Sequence, residues 1–173
     1  MSDDEEYLAK SPAAGRMGKA AEHLVAASCV LATRGELNVS TSLVDDEGVD
    51  LVFHRRGSSA TLAVQVKARM STASVVRRQQ YLANVRSQGF RPRAGLDLLF
   101  VAVDVDRAAI MTAWLVPSPV FAEMVKKPNG KGQYRFSASM KEGSGDRWAP
   151  YRLTAAELSR RILARLGELE EAG

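Results

Sequence analysis

Cysteine is almost missing from this chain: Cys29 is the only one in 173 residues. One thiol excludes an internal disulfide and every cysteine-rich zinc site, and it fits a reducing compartment, so a cytoplasmic location is expected. Histidine is equally scarce, and His23 and His54 are not spaced like a zinc-binding pair. No run approaches the ~18 uninterrupted apolar residues of a membrane span, so no membrane association is expected. The opening MSDDEEYLAK is acidic and polar, unlike a signal peptide. There is no internal repeat and no composition shift that marks a second domain.

What is present is ordinary in bulk, with 46% hydrophobic and 25% charged residues and a net charge of +4. That length and composition suit one domain that buries its own core. Setting aside the four acids Asp3, Asp4, Glu5 and Glu6 raises the balance from +4 to +8. A basic body of that kind favours a polyanionic partner. Residues 1–10 read as a mobile acidic tail and residues 11–173 as the folded domain.

The most informative stretch runs from Gly48 to Lys67, GVDLVFHRRGSSATLAVQVK. Val49, Leu51 and Phe53 alternate with Asp50, Val52 and His54. Leu62, Val64 and Val66 then alternate with Ala63, Gln65 and Lys67. Two strands of period two around a polar, glycine-bearing loop predict an antiparallel hairpin. Its pairing can bring Asp50, Gln65 and Lys67 to one surface: an acid, an amide carbonyl and an ammonium. Hard cations such as Mg²⁺ take oxygen ligands and keep several waters. A fixed positive charge nearby stabilises the charge that develops when a phosphodiester is attacked.

Around the hairpin the pattern alternates helices and strands. Ser11 and Pro12 open a first helix, with Met17, Ala21, Leu24, Ser28 and Leu31 as its apolar stripe and Gly35 as its stop. Gly15 and Gly18 weaken that helix by roughly 1 kcal/mol each, which predicts a close backbone or ligand. Glu22 follows one turn later. A strand is expected over 37–43, then an acidic turn of Asp45, Asp46 and Glu47. Residues 74–88 read as a basic helix carrying Arg77, Arg78 and Arg86. A loop with Arg91 and Arg93 follows. Leu98–Val103 and Ile110–Val116 read as strands, the first covered on both faces. Ser118 and Pro119 are expected to cap a short helix. Tyr134–Ala138 reads as an edge strand. The last helix carries a capping box in Thr154 and Glu157 and a stripe of Leu158, Ile162, Leu166 and Leu169, with Arg160, Arg161 and Arg165 off it. This order predicts an α/β fold, a mixed sheet flanked by helices on both faces.

Glu22, then Gly48-Val49-Asp50, then Gln65-Val66-Lys67 resembles the PD-(D/E)xK nuclease superfamily, in the branch with Q-x-K in place of E-x-K. Mrr-like restriction endonucleases and some intron-encoded homing endonucleases are similar in this respect. The resemblance covers roughly residues 15–70, and a weaker one extends to Trp114–Ser118. It implies a restriction-endonuclease-like fold and a Mg²⁺- or Mn²⁺-dependent DNA endonuclease. By carry-over, Asp50 and Gln65 are metal ligands, Glu22 a helix-borne ligand or water holder, and Lys67 the catalytic lysine. Arg77, Arg78, Arg86, Arg91 and Arg93 become phosphate contacts, and cutting two strands calls for a homodimer. Val49 stands where proline is frequent, and Gln65 where the second acid usually stands.

Plainer roles exist for each residue. Asp50 can be a turn acid, Lys67 an edge-strand guard, Glu22 a solvated helix acid, and the arginines a solvated face. Asp45, Asp46 and Glu47 read as turn acids, Cys29 as a buried small residue, and Trp114 and Trp148 as core or interface. Two further functions are therefore kept open: a nuclease-fold nucleic-acid-binding module without turnover, and a protein-interaction subunit of a defence or mobile-element system.

Overall fold

β-Strand pairing organises the chain around a six-stranded mixed sheet. The computed structural model describes residues 11–44 and 48–173, so the acidic tail and the Asp45–Glu47 turn lie outside the described residues. In chain order the elements are α1 (Pro12–Ala32), β1 (Leu37–Thr41), β2 (Leu51–Arg55), β3 (Thr61–Met70), α2 (Ser74–Arg77), β4 (Gln80–Arg86), β5 (Leu96–Asp104) and β6 (Ala109–Pro117). Then follow α3 (Ser118–Val125), β7 (Gln133–Ser139), β8 (Arg152–Leu153) and α4 (Ala155–Ala172). The main sheet has the order β1-β2-β3-β5-β6-β8, and β4 and β7 form a separate two-stranded ribbon. Only β3 and β5 run parallel; every other described pair is antiparallel.

The hairpin forms as its alternation predicts, with Leu51 opposite Val64 and Phe53 opposite Leu62. These apolar rows face α1 and α4, where Ala21, Val25, Leu158, Ile162 and Leu166 close a first core over them. β5 is buried along eight of its nine residues. Leu99, Val101 and Val103 enter the first core, while Leu98, Phe100 and Ala102 enter a second on the other face. That second core lies beneath the β4–β7 ribbon and α3. Its aromatic centre includes Phe100 stacked on Phe136, with ring centroids 3.8 Å apart. Trp114 and Trp148 are both fully buried there, as the sequence suggests.

Helix ends follow local chemistry. Ser11 Oγ accepts the Ala14 N–H at 3.0 Å, with Pro12 in the first turn. Thr154 and Glu157 form the expected capping box. Gly35, at φ +80°, accompanies the end of α1, its N–H reaching the Val30 carbonyl at 2.9 Å. No helix among the described residues is long and apolar enough to cross a membrane.

Five expectations are corrected. The basic helix over 74–88 is one turn, α2, followed by strand β4. Tyr81, Ala83 and Val85 are buried in period two and pair with Ala138, Phe136 and Tyr134 of β7. A tertiary partner thus overrides the local helical pattern. In α1 the buried residues are Ala21, Val25 and Cys29, whereas Met17 and Leu31 are 40% and 77% exposed. A Cβ at Gly15 or Gly18 would meet nothing within 4 Å, so no backbone among the described residues approaches them. Ser118 does not cap α3: its hydroxyl donates to the Arg93 carbonyl and accepts the Arg93 N–H, both at 3.0 Å, and so ties down the loop before β5. Arg165 is not off the core side of α4 but buried, ion-paired with Asp97.

Candidate active site

The hairpin's ladder ends early on one side. β3 continues to Met70, but β2 pairs only with its first part, Thr61–Val64. From Gln65 onward the β2 side of β3 carries no strand ladder among the described residues. Asp50 stands where the ladder stops. Its backbone N–H donates to the Val64 carbonyl at 2.9 Å, one residue out of step with the register. Its Oδ2 accepts the Val66 N–H at 2.7 Å, so the carboxylate takes the place of the missing strand. Asp50 is therefore bonded to the residues on both sides of Gln65.

Gln65 and Lys67 lie on the face away from α1, opposite the apolar Val64 and Val66. Their parallel neighbours are Leu98 and Phe100, which belong to the second core. The Gln65 amide lies against Gly48: a Cβ on that glycine would sit 3.1 Å from Gln65 Nε2. Gly48 has φ +69°, a conformation glycine adopts without the usual steric cost, so it admits both the turn and the amide. Lys67 is fixed through its backbone, whose carbonyl accepts the Tyr81 hydroxyl. Two residues on, Arg69 Nε donates to the Leu82 carbonyl at 2.8 Å, which docks the edge of β4 beside β3.

Glu22 is placed differently. It follows the buried Ala21 on α1, which packs against the opposite face of the sheet. Its Oε2 is ion-paired with Lys19 Nζ at 2.9 Å, and its side chain is only 15% exposed. The described contacts thus join Asp50 to the Gln65 segment and Glu22 to Lys19. Arg77 and Arg78 sit exposed between β3 and β4, Arg86 at the far end of β4, and Arg91 and Arg93 on the loop before β5. The five are exposed but spread over α2 and its end, the end of β4 and a loop rather than along one helix.

A cavity of about 460 Å³ opens elsewhere, at the hairpin tip, lined by Asn38, His54, Arg55, Arg56 and Ser58 among others. It lies four residues up β2 from Asp50, roughly 13 Å at strand rise, and so is separate from the Asp50 site. His54 belongs to that cavity. Cys29 is buried on the core side of α1, where burial pushes its thiol up to about 12.

The donors at Asp50 and Gln65 are one carboxylate and one amide, hard oxygen ligands suited to a Mg²⁺-type ion that retains waters. No group of three or more His, Cys, Asp or Glu side chains able to hold a metal occurs among the described residues. That donor set does not suit a zinc centre of the usual kind.

No protein-family model and no curated protein sequence matches the chain. Among solved structures it is similar to a bacterial homing endonuclease, I-Ssp6803I, with a TM-score of 0.51 and 21% sequence identity over 86% of this chain and 94% of that one. The likeness is one of fold: the mixed sheet and its helices form an endonuclease-like α/β architecture.

Proposed function

We propose that residues 11–173 form a single metal-dependent DNA endonuclease domain of the PD-(D/E)xK superfamily, in its Q-x-K branch. The observation that carries the reading is Asp50 bonded to the residues on both sides of Gln65, beside Lys67 and at the end of the hairpin ladder. Similarity of fold to a homing endonuclease supports it.

A Mg²⁺ or Mn²⁺ ion would supply Lewis-acid polarisation of the phosphate and a more acidic water. Asp50 and the Gln65 carbonyl would hold it; a second carboxylate from Glu22 would have to leave Lys19 and reach past the open end of the β2–β3 ladder from the α1 side. Asp50 is fixed for this work by the Val66 N–H, and Gln65 is seated by Gly48. The Lys67 ammonium would orient the attacking water or offset the negative charge that gathers on the phosphoryl oxygens as the P–O bond breaks. Arg77, Arg78, Arg86, Arg91 and Arg93 would contact phosphates outside the reacting group. Cleavage of a duplex on both strands would use two copies of the chain.

Incubating the protein with supercoiled plasmid and Mg²⁺ or Mn²⁺ tests this. Nicked and linear DNA are expected, absent with chelator and in Asp50→Ala, and about a hundredfold slower in Lys67→Ala. Cleavage unchanged in both variants removes the assignment.

A second reading, a DNA-binding module without turnover, is favoured by the neutral Gln65 at the second-acid position. It predicts binding with a steep salt dependence and no cleavage with any divalent ion.

A further inference from the structure

We infer that the outer face of the β4–β7 ribbon reads base edges in the major groove of duplex DNA. The inference rests on the DNA-binding part of the proposed function and goes beyond it by naming the surface that confers sequence preference.

The ribbon is two-faced. Tyr81, Ala83, Val85, Phe136 and Ala138 point into the second core. By alternation the opposite face carries Gln80, Asn84, Arg86, Gln133, Arg135, Ser137 and Ser139, with Leu82 as its apolar member. Register pairs Asn84 with Arg135 and Arg86 with Gln133, so side chains that read bases stand in cross-strand rows. Arginine reads guanine, asparagine and glutamine read adenine, and an apolar side chain meets the thymine methyl. No residue of this outer face is acidic. Among the described residues, Ser139 accepts the Lys141 N–H at 3.1 Å, and no internal hydrogen bond or ion pair engages the other six polar side chains. Arg86, Arg135 and Ser137 are exposed.

Size and position agree with that chemistry. A two-stranded ribbon fits a B-form major groove about 12 Å wide. Seven residues per strand extend about 20 Å, or roughly six base-pair steps. The free edge of β4 is docked on β3 at Lys67 and Arg69 through Tyr81 and Leu82. The ribbon therefore begins beside the candidate site, on the side of the sheet away from α1 and α4, with Arg77 and Arg78 at its entry. The deep, narrow major groove of A-form RNA does not admit such a ribbon, which selects DNA over RNA.

The test is selection of preferred sites from a randomised DNA duplex pool, bound in chelator so that no cleavage is needed. The unmodified chain is compared with Asn84→Ala, Gln133→Ala, Arg135→Ala and Arg77→Ala, each checked for an unchanged melting curve. The unmodified chain is expected to return a preferred site. Each ribbon variant should lose preference about tenfold or more at one or two positions and keep the rest. Arg77→Ala should weaken binding to all sequences alike and lower the salt slope by about one. A pool with no preferred site, ribbon variants that return the original site, or RNA duplex competing as well as DNA each overturns the inference. A chain that selects through the ribbon but never cuts removes only the nuclease reading. One that cuts at an unaltered site in every ribbon variant removes only this inference.

Discussion

The carboxylate of Asp50 accepts the backbone N–H of Val66 at 2.7 Å, at the point where β2 stops pairing with β3. One side chain therefore has two separable duties, closing the end of a ladder and presenting negative charge. Asp50→Asn divides them. The amide oxygen can still accept from Val66, though a neutral bond is roughly half as strong as a charge-assisted one. A loss of about 1 kcal/mol would lower the melting temperature of a domain this size by about 2–4 °C. Metal-dependent cleavage should disappear in the same variant. Calorimetry and a plasmid assay on one preparation check both, and a folded Asn variant that still cuts removes Asp50 as a ligand.

Gly48 and Gln65 should behave as a coupled pair. Alanine at Gly48 must hold φ near +69° and brings its Cβ to 3.1 Å from the Gln65 amide nitrogen. The backbone part costs about 1–2 kcal/mol, and the steric part depends on Gln65 being present. Gly48→Ala in a Gln65→Ala background should therefore be less costly than in the unmodified chain. A double-mutant cycle by urea unfolding measures the difference. Strict additivity would mean the amide does not rest on that glycine.

How much of this was legible depended on whether the deciding contact was local. Val49, Leu51 and Phe53 against Leu62, Val64 and Val66 announce a half-buried hairpin because the strand period is written into adjacent residues. The unbroken apolar run of β5 and the Thr154–Glu157 box are equally local. β4 was not legible in the same way. Tyr81, Leu82 and Val85 fit a helical stripe as well as a strand, and β7, about fifty residues later, decides between them. The same holds for Arg165, which flanks the stripe of α4 until Asp97 is brought beneath it. In α1 two apolar stripes compete, and only packing selects Ala21, Val25 and Cys29. The hairpin that carries Asp50, Gln65 and Lys67 was legible, while the β4 half of the ribbon's outer face is hidden when 74–88 is read as helix.

Asp97 and Arg165 are joined by two bonds, Nε–Oδ2 at 2.8 Å and Nη2–Oδ1 at 2.9 Å, across 68 residues of sequence. Asp97 is fully buried and the Arg165 side chain 11% exposed. The planar guanidinium meets the carboxylate with both prongs, and Glu168 takes a further bond on the outside. Those contacts push the Arg165 pKa further up, the Asp97 bond most of all, and hold Glu168 below its ordinary value. Removing one partner leaves a buried charge, so Asp97→Ala should cost about 3–5 kcal/mol. Asp97→Leu combined with Arg165→Met should recover most of that loss. Urea midpoints of the single and double variants decide it.

Alkaline pH should unfold this protein through groups kept neutral by the two cores. Burial pushes the Cys29 thiol from an ordinary 9.0 up to about 12, and burial raises the Tyr81 phenol as well, against the lowering effect of nearby Arg69. A pKa raised by folding means the folded chain holds its proton where the unfolded chain has lost it. Stability from Cys29 is thus complete below pH 9 and declines as pH rises towards 12, by up to about 1.4 kcal/mol per pH unit. Tyr81 adds a decline of the same sign that starts near its ordinary 10.0. Urea midpoints measured from pH 8 to 11 should fall, and Cys29→Ala should flatten the first part of the fall. In the native state a thiol-specific reagent should react with Cys29 far more slowly at pH 8 than it does in urea, because the thiolate is the reacting species. Equal rates in the two conditions would place that thiol at the surface and remove its share of the alkaline loss.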